Sequence, residues 1–475
     1  MKLRLLSLSI FTLLLAACGG GDSEAEQQPE DEAATSDQQV QEETEASENT
    51  ETVNILTSVT GGKDEEEMEL FEEELENISG YPVDMEQPAS DYNNILIQKL
   101  RAGGENLDLI YFDQSQLHDL VDQGALLDIT EYVNDSEILS DPEVIAPEEW
   151  DNIEIDGSYY AGFNKKEIHR VVNLNQSLMD EHGLELKEES LDGYYNLFTD
   201  MKESVEDPDF YPLNTVLSEL YDIQPWMASE GLRYGIVEND SGNAAVPYAS
   251  DDAVVVWEWL QMLYEEELLD PSSMTDSTTE LRNKFQSGQT GVAVDWAAWT
   301  GLYNAGAEDD YPENFEAVPV GGTLNEEDEY SLTRGVASLW GIPATSENVE
   351  GAMAVLESFA TQEGGDLLSV GIKGHDYNIE NGEFEQTETG KSHSNDHGAP
   401  FPINEQYENP AEYNPGVEEA MELLDYAEVP SVSAETNAVQ QIVAEHGMNI
   451  VSGSISAEEG VQNMRDDLTS EGIIE

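Results

Sequence analysis

The sequence predicts an α/β protein with a parallel, helix-covered sheet and more than one hydrophobic core. Three observations carry that prediction. From Val53 onward, short apolar runs of strand length alternate with amphipathic stretches of helix length. The chain has 475 residues, more than one core usually organises. Late in the chain, Gly291 opens a second buried-strand pattern, Val292, Ala293 and Val294, which delivers Asp295, Trp296 and Trp299 where a strand should end.

Val53 to Thr57 reads as the first strand. Asp64 to Ser79 then places Met68, Phe71, Leu75 and Ile78 on one helical face, and Gly80 stops the helix. Pro82 to Met85 is a second strand, and Asp91 to Ala102 a second helix with Ile95, Leu96 and Leu100 inward. Leu107 to Phe112 is a third strand. This alternation argues for parallel strands joined by right-handed crossovers. Ligands of such sheets sit beyond the carboxyl ends of the strands, so the loops Ser58 to Lys63 and Phe112 to Ser115 should border a site. Further on, "AVVVWEWLQMLY" is an apolar run of helix length, which assigns Trp257 and Trp259 to packing.

The charge balance is extreme: 103 Asp and Glu against 17 Lys and Arg, a formal net charge of -86. Such a surface repels nucleic acid and anionic membranes. It suits a high-salt habitat, because at 1 M salt the Debye length is about 3 Å and neighbouring carboxylates hardly interact. The acids are spread along the whole chain, which argues against dedicated cation storage.

The single cysteine, Cys18, excludes an internal disulfide. Lys2 and Arg4 precede an apolar stretch, Leu5 to Leu15, that is too short to span a bilayer, and Ala16-Ala17 supply the small residues before a cleavage point. Leu15-Ala16-Ala17-Cys18 resembles the lipobox of bacterial lipoproteins. This implies a signal peptide over 1–17 and a cysteine carrying acyl chains such as palmitate, anchored on the extracytoplasmic face of the cell membrane. From Gly19 to Thr52 there is no aromatic residue and no Lys or Arg, but there are twelve acids, so residues 18–52 read as a disordered tether.

Fragments along the chain resemble the extracellular solute-binding proteins of carbohydrate ABC transporters. They are, in order, "ISGYPV", "LIQKLRAGGENLDLIYFD", "LVDQGALLDITEYV", "IDGSYYAGFNKKEIHRVVNLNQSLMDEHGL", "LYEEELLDPSS", "FQSGQTGVAVDWAAW" and "SLWGIPATSENVEGAMAVLESF". The stretch Gly371 to Phe384 is most similar to the oligosaccharide-binding subgroup. The resemblance implies a two-lobe, periplasmic-binding-protein-like (type II) fold with the ligand in a cleft between α/β lobes. Carried onto this chain, it puts crossings near Ala161 to Asn164, Arg334 to Gly341 and Ala427 to Pro430. The N-lobe would be 53–163 plus 338–426 and the C-lobe 164–337 plus 427–475, with glycines 162, 335 and 341 compatible with hinges. "EDPDFYPLN" lacks the alternating acidic and amide ligands of the subgroup's calcium loop, so no calcium is expected there.

Within this frame, aromatic residues at strand ends and loops are the candidate ligand contacts: Phe112, Tyr160, Trp226, Trp296, Trp299 and Trp340. Indole and phenol rings stack on sugar C–H groups while neighbouring polar groups take the hydroxyls. The polar candidates are Asp113, Gln114, Asp295, Arg334 and His375. Asp295 ends its strand and Asp113 directly follows one. Arg334 could equally form a structural ion pair, and His375 could simply order its own turn. Gly390-Lys391-Ser392 mimics a phosphate loop without its first glycine, and His393, Asp396 and His397 read as a solvated polar loop rather than a metal site.

The expectation is a monomeric receptor that uses no cofactor or metal and makes or breaks no bond. It would take an oligosaccharide by lobe closure and hand it to permease subunits. The alternatives are a secreted glycan-degrading lyase or hydrolase, and a peptide or metal receptor on the same scaffold. An acidic cleft would favour neutral or basic ligands, whereas Arg334 or Lys63 directed into it would admit uronates.

Overall fold

The computed structural model describes residues 51–104, 106–239, 241–305, 315–380, 383–393, 397–411 and 413–475. Residues 1–50, which hold the expected signal peptide, Cys18 and all but the last two residues of the expected tether, therefore lie outside the described residues. The strands run in chain order as β1 (Val53–Leu56), β2 (Val83–Glu86), β3 (Leu109–Asp113), β4 (Gly162–Phe163), β5 (Arg170–Asn175) and β6 (Tyr211–Asn214). A ribbon of β7 (Val237–Glu238) and β8 (Ala244–Ala245) follows, then β9 (Thr290–Trp296), β10 (Ala317–Val320), β11 (Leu332–Thr333) and β12 (Ser338–Gly341). The last are the hairpin β13 (Tyr377–Glu380) and β14 (Glu383–Gln386), and β15 (Ala427–Glu428).

The first sheet has the order β2-β1-β3-β12-β4. β1, β2 and β3 are parallel, as the early alternation predicts, and β12 returns antiparallel between β3 and β4. The helix Glu65–Ser79 starts where Asp64 accepts from two free backbone N–H groups, and it ends at Gly80 in the left-handed region. Its Phe71 and Leu75 are fully buried against Val53, Ile55, Leu96 and Leu109.

The second sheet, β10-β5-β9-β6, has its own core, where Val172, Leu213, Val292 and Val294 meet Phe198, Trp226, Trp257 and Trp259. Trp257 and Trp259 are buried, as their helical run predicts. Two sheets with separate cores, joined by crossing segments, make the two-lobe α/β fold that the resemblance implies.

The chain crosses between Phe163 and Arg170 and returns between Thr333 and Ser338. Around the expected third crossing, β15 lies parallel to β11. The helix Val417–Met421 packs earlier than that crossing, against the helix Ala297–Asn304 that follows β9. Two of the three glycines compatible with hinges also permit a close approach, whereas Gly162 has only ordinary contacts. A Cβ on Gly335 would stand 2.1 Å from the Trp296 indole, and one on Gly341 would stand 2.8 Å from Phe112 and Leu126.

Candidate ligand-binding site

Residues from both sheets line a cavity of about 420 Å³. That volume is in the range of small-ligand sites. β3 contributes Tyr111 and Asp113, and β12 contributes Ser338. β9 and the helix after it contribute Trp296, Trp299 and Leu302. The first crossing supplies Lys165, Lys166 and Glu167, the second supplies Val336, and the stretch 398–417 adds Phe401, Tyr413 and Asn414. No helix among the described residues is long and apolar enough to cross a membrane.

Trp296 and Trp299 are half-buried in this wall, and each indole carries a guanidinium. Arg170 Cζ lies 3.8 Å from the Trp296 ring centroid and Arg282 Cζ lies 3.6 Å from that of Trp299. Both arginines are held from behind. Arg170 donates to Asp222 at 2.7 Å, and Arg282 makes a two-pronged pair with Asp295 at 2.7 and 2.9 Å. Fixed in this way, the rings present ordered apolar surface beside positive charge.

On the opposite side, Tyr111 donates to Ser338 at 3.0 Å and Ser338 donates to Glu167, whose carboxylate also lies 3.6 Å from Lys165 Nζ. Asp113 stands beside this chain. Burial pushes its carboxyl up to about 6, with the negative charge of Glu167 adding and Lys165 opposing. The raised value has a definite sign. The native state is favoured most below the unfolded carboxyl value of about 3.9, and that contribution is lost as pH rises to about 6. The stability advantage of wild type over Asp113→Asn should therefore shrink across this window, as read from urea midpoints of both proteins at each pH.

Of the residues singled out from sequence, the structure brings Asp113, Trp296 and Trp299 together in the cavity wall. The others lie elsewhere for identifiable reasons. Phe112 points to the opposite face of β3 from Tyr111 and Asp113 and is 1% exposed in the core. Trp340 is the cross-strand partner of Tyr111 but sits beneath it, edge-on at 5.6 Å and against Phe359 at 5.1 Å. Trp226 is enclosed by Tyr194, Phe198 and Trp259. Tyr160 packs on the rim of the first core.

Asp295 is buried and bound to Arg282, the Tyr303 hydroxyl and the Trp296 N–H, which places it behind the wall, holding Trp296 and Arg282. Gln114 donates to Asn152 O and accepts from Ala337 N, which fixes the start of β12. Arg334 takes its structural alternative. It donates to Glu149 at 2.8 Å and to the Glu167 carbonyl at 2.9 Å, and its own N–H reaches Glu428 O.

His375 is outside the cavity wall and stacks on His393. The reading of His393 and His397 as a solvated loop is corrected, because His397 is 0% exposed and both rings face Asp376; Asp396 lies outside the described residues.

Sequence reasoning missed Tyr111, Lys165, Lys166, Glu167, Arg282, Ser338 and Phe401 as wall residues. The scarcity of cations was the available signal. In a chain with so few, three of them line one cavity.

The comparisons agree with this architecture. A substrate-binding protein of an ABC transporter from Listeria monocytogenes, solved with cycloalternan, superposes with a TM-score of 0.67. It is 16% identical and covers 89% of this chain and 100% of its own. The alginate-binding protein AlgQ2, solved without calcium, gives 0.69 at 17% identity, covering 91% and 97%. Lipoprotein LipO of Bacillus subtilis (strain 168) is 20% identical over 367 residues, 72% of this chain and 71% of that protein. The model of the bacterial extracellular solute-binding proteins matches residues 62–366, most of the chain, and the protein belongs to that family.

Proposed function

We propose that the protein is the capture component of a carbohydrate ABC importer, binding an oligosaccharide between its lobes and presenting it to permease subunits. The observation that carries this reading is the cavity itself. Contributions from both sheets meet there, and two held indoles stand beside hydroxyl, carboxylate and ammonium groups. Ligand contacts that span two bodies exist only when the bodies approach, so binding stabilises the closed state that a permease can recognise. Relatives whose names specify cycloalternan, alginate or maltose support a glycan as cargo.

In this reading the lobes follow the two sheets. The sequence expectation puts 53–163 with 338–426 in one and 164–337 with 427–475 in the other; because Val417 and Ala420 pack with Val171 and Ala297, we place 417–426 with the second lobe. Acylated Cys18 tethers the protein, as a monomer, to the outer face of the cell membrane.

The test is a thermal-shift and calorimetric screen of neutral and uronate-containing oligosaccharides, with each glycan recovered afterwards and its length determined by chromatography. A receptor gives saturable binding and returns the glycan intact. Shortened or unsaturated products would replace this reading with a glycan-degrading enzyme that uses Asp113 and Glu167, both in the cavity wall. The same instrument checks the high-salt habitat: the melting temperature of the ligand-free protein should climb steadily from dilute buffer to molar NaCl. A flat or falling curve would contradict it.

A further inference from the structure

The chain has seven histidines. Three of them, His375, His393 and His397, meet around one fully buried carboxylate, Asp376. The fold builds this meeting deliberately. Asp376 precedes the β13–β14 hairpin, and Thr387, just after it, donates twice to the Asp376 carbonyl. That contact brings the helix Glu388–His393 back over Asp376. Gly371, with φ +110°, lets the cluster close, since a Cβ there would fall 2.5 Å from Asp376 Oδ2 and 2.8 Å from His397 Nε2.

The ring nitrogens divide into two sets. Two of the outward nitrogens have an acceptor within 3.2 Å, and the third is farther off. His397 Nδ1 lies 3.1 Å from the Gly61 carbonyl, and His393 Nε2 lies 3.2 Å from Glu67 Oε1, with His375 Nε2 at 3.9 Å from the same oxygen. The inward nitrogens converge on Asp376. His393 Nδ1 is 2.8 Å from Oδ1, His375 Nδ1 is 3.4 Å from Oδ1, and His397 Nε2 is 3.3 Å from Oδ2.

A carbonyl at His397 Nδ1 makes that nitrogen the N–H, so in the neutral ring Nε2 aims a lone pair at a carboxylate oxygen. Neither His397 Nε2 nor His375 Nδ1 has a hydrogen-bond partner, although both are buried. Something positive belongs between them and Asp376. The donor atoms of Asp376, His393 and His397 already lie within 4.8 Å of one another. Ligands at about 2.0–2.1 Å from a tetrahedral ion stand roughly 3.4 Å apart, so small side-chain shifts would complete the site.

We propose that Asp376, His393 and His397, with His375 as a fourth donor in reach, bind one divalent first-row transition-metal ion, Zn²⁺ being the best match. Imidazole nitrogen with a single carboxylate suits Zn²⁺ and disfavours Ca²⁺ and Mg²⁺, which take all-oxygen sets. Glu67 and the Gly61 carbonyl orient the rings from outside, as outer partners do in metal–histidine sites.

The site clamps three otherwise separate stretches: the loop around Gly61, the turn at Gly371 to Asp376, and the segment from His397 onward. Val59, Gly398 and Pro400 of those stretches line the ligand cavity. The metal thus stiffens one wall of the cleft without touching the cargo, and this holds whatever the cargo is.

The experiment strips the purified full chain with chelator and adds Zn²⁺ or Co²⁺ in molar NaCl with excess Mg²⁺, which occupies the surface carboxylates. Elemental analysis should find one tightly held Zn²⁺ per chain, Co²⁺ should develop the visible d–d absorption of a low-coordinate nitrogen site, and Zn²⁺ should raise the melting temperature over chelator. The double variant His393→Gln with His397→Gln should lose the bound ion, Glu67→Gln should weaken it about 10- to 100-fold, and His446→Gln should keep it. If the double variant does not fold, the wild-type Co²⁺ spectrum and the Glu67→Gln affinity decide. Uptake no greater than the Mg²⁺-protected background, a Co²⁺ spectrum of an all-oxygen octahedral ion, or undiminished uptake in the folded double variant would each overturn the proposal and leave a protonated histidine cluster in its place.

Discussion

Replacing Trp296 or Trp299 by alanine is expected to weaken oligosaccharide binding by about 1–4 kcal/mol each, from roughly 5-fold to several hundred-fold in Kd. Both rings stand half-buried in the cavity wall, so truncation removes stacking surface while the sheet behind them stays packed. The Trp296 variant should suffer more. Its indole fills the space against Gly335 in the second crossing and covers the Arg170 guanidinium, so its loss also loosens the junction between the lobes. Calorimetric titration with the best glycan from the screen measures both variants. Unchanged affinity in a folded protein would remove these rings from the binding surface.

The second large effect is expected at Trp226, where alanine should cost about 3–5 kcal/mol of stability through the cavity it leaves. This ring is fully enclosed, with Tyr194 at 4.9 Å and Trp259 at 5.3 Å. Urea unfolding in molar salt should show a lower midpoint, while the folded fraction binds its glycan with wild-type affinity. Two tryptophan substitutions in one lobe would then fail in opposite ways, one in recognition and one in folding, and that contrast separates wall from core more sharply than either result alone.

The first lobe was legible because its pattern is local. Phe71 and Leu75 mark one helix face, and the strand–helix alternation from Val53 to Phe112 needs only periods of 3.6 and 2 to be read. The cavity wall was legible at Asp113 and Trp296, which end their strands, and at Trp299, in the first turn of the helix that follows β9. Phe112 lies outside the wall because strand alternation turns it to the face away from Tyr111 and Asp113, whereas Trp340 shares the face of Tyr111 and Ser338 but is covered by Tyr111 and Phe359; the pairing of β12 with β3 that covers it joins residues more than two hundred positions apart.

Asp295 lies behind the wall for another reason. In a chain crowded with acids, nothing local marks the one that Arg282 and Tyr303 will claim. The histidine cluster was hidden because a hairpin and a short helix separate Asp376 from His393, and the outer partners, Glu67 and Gly61, come from the other end of the lobe.

Arg170, Arg282 and Arg334 have a common circumstance. Their carboxylate partners Asp222, Asp295 and Glu149 are at most 10% exposed, whereas the partners of Arg233 and Arg465 are 65% and 87% exposed. Dissolved ions dissolve the attraction between exposed pairs and barely reach enclosed ones. A protein nearly stripped of cations has thus kept some of its few guanidiniums at the cavity wall and the second crossing, where added salt would leave their attachments intact.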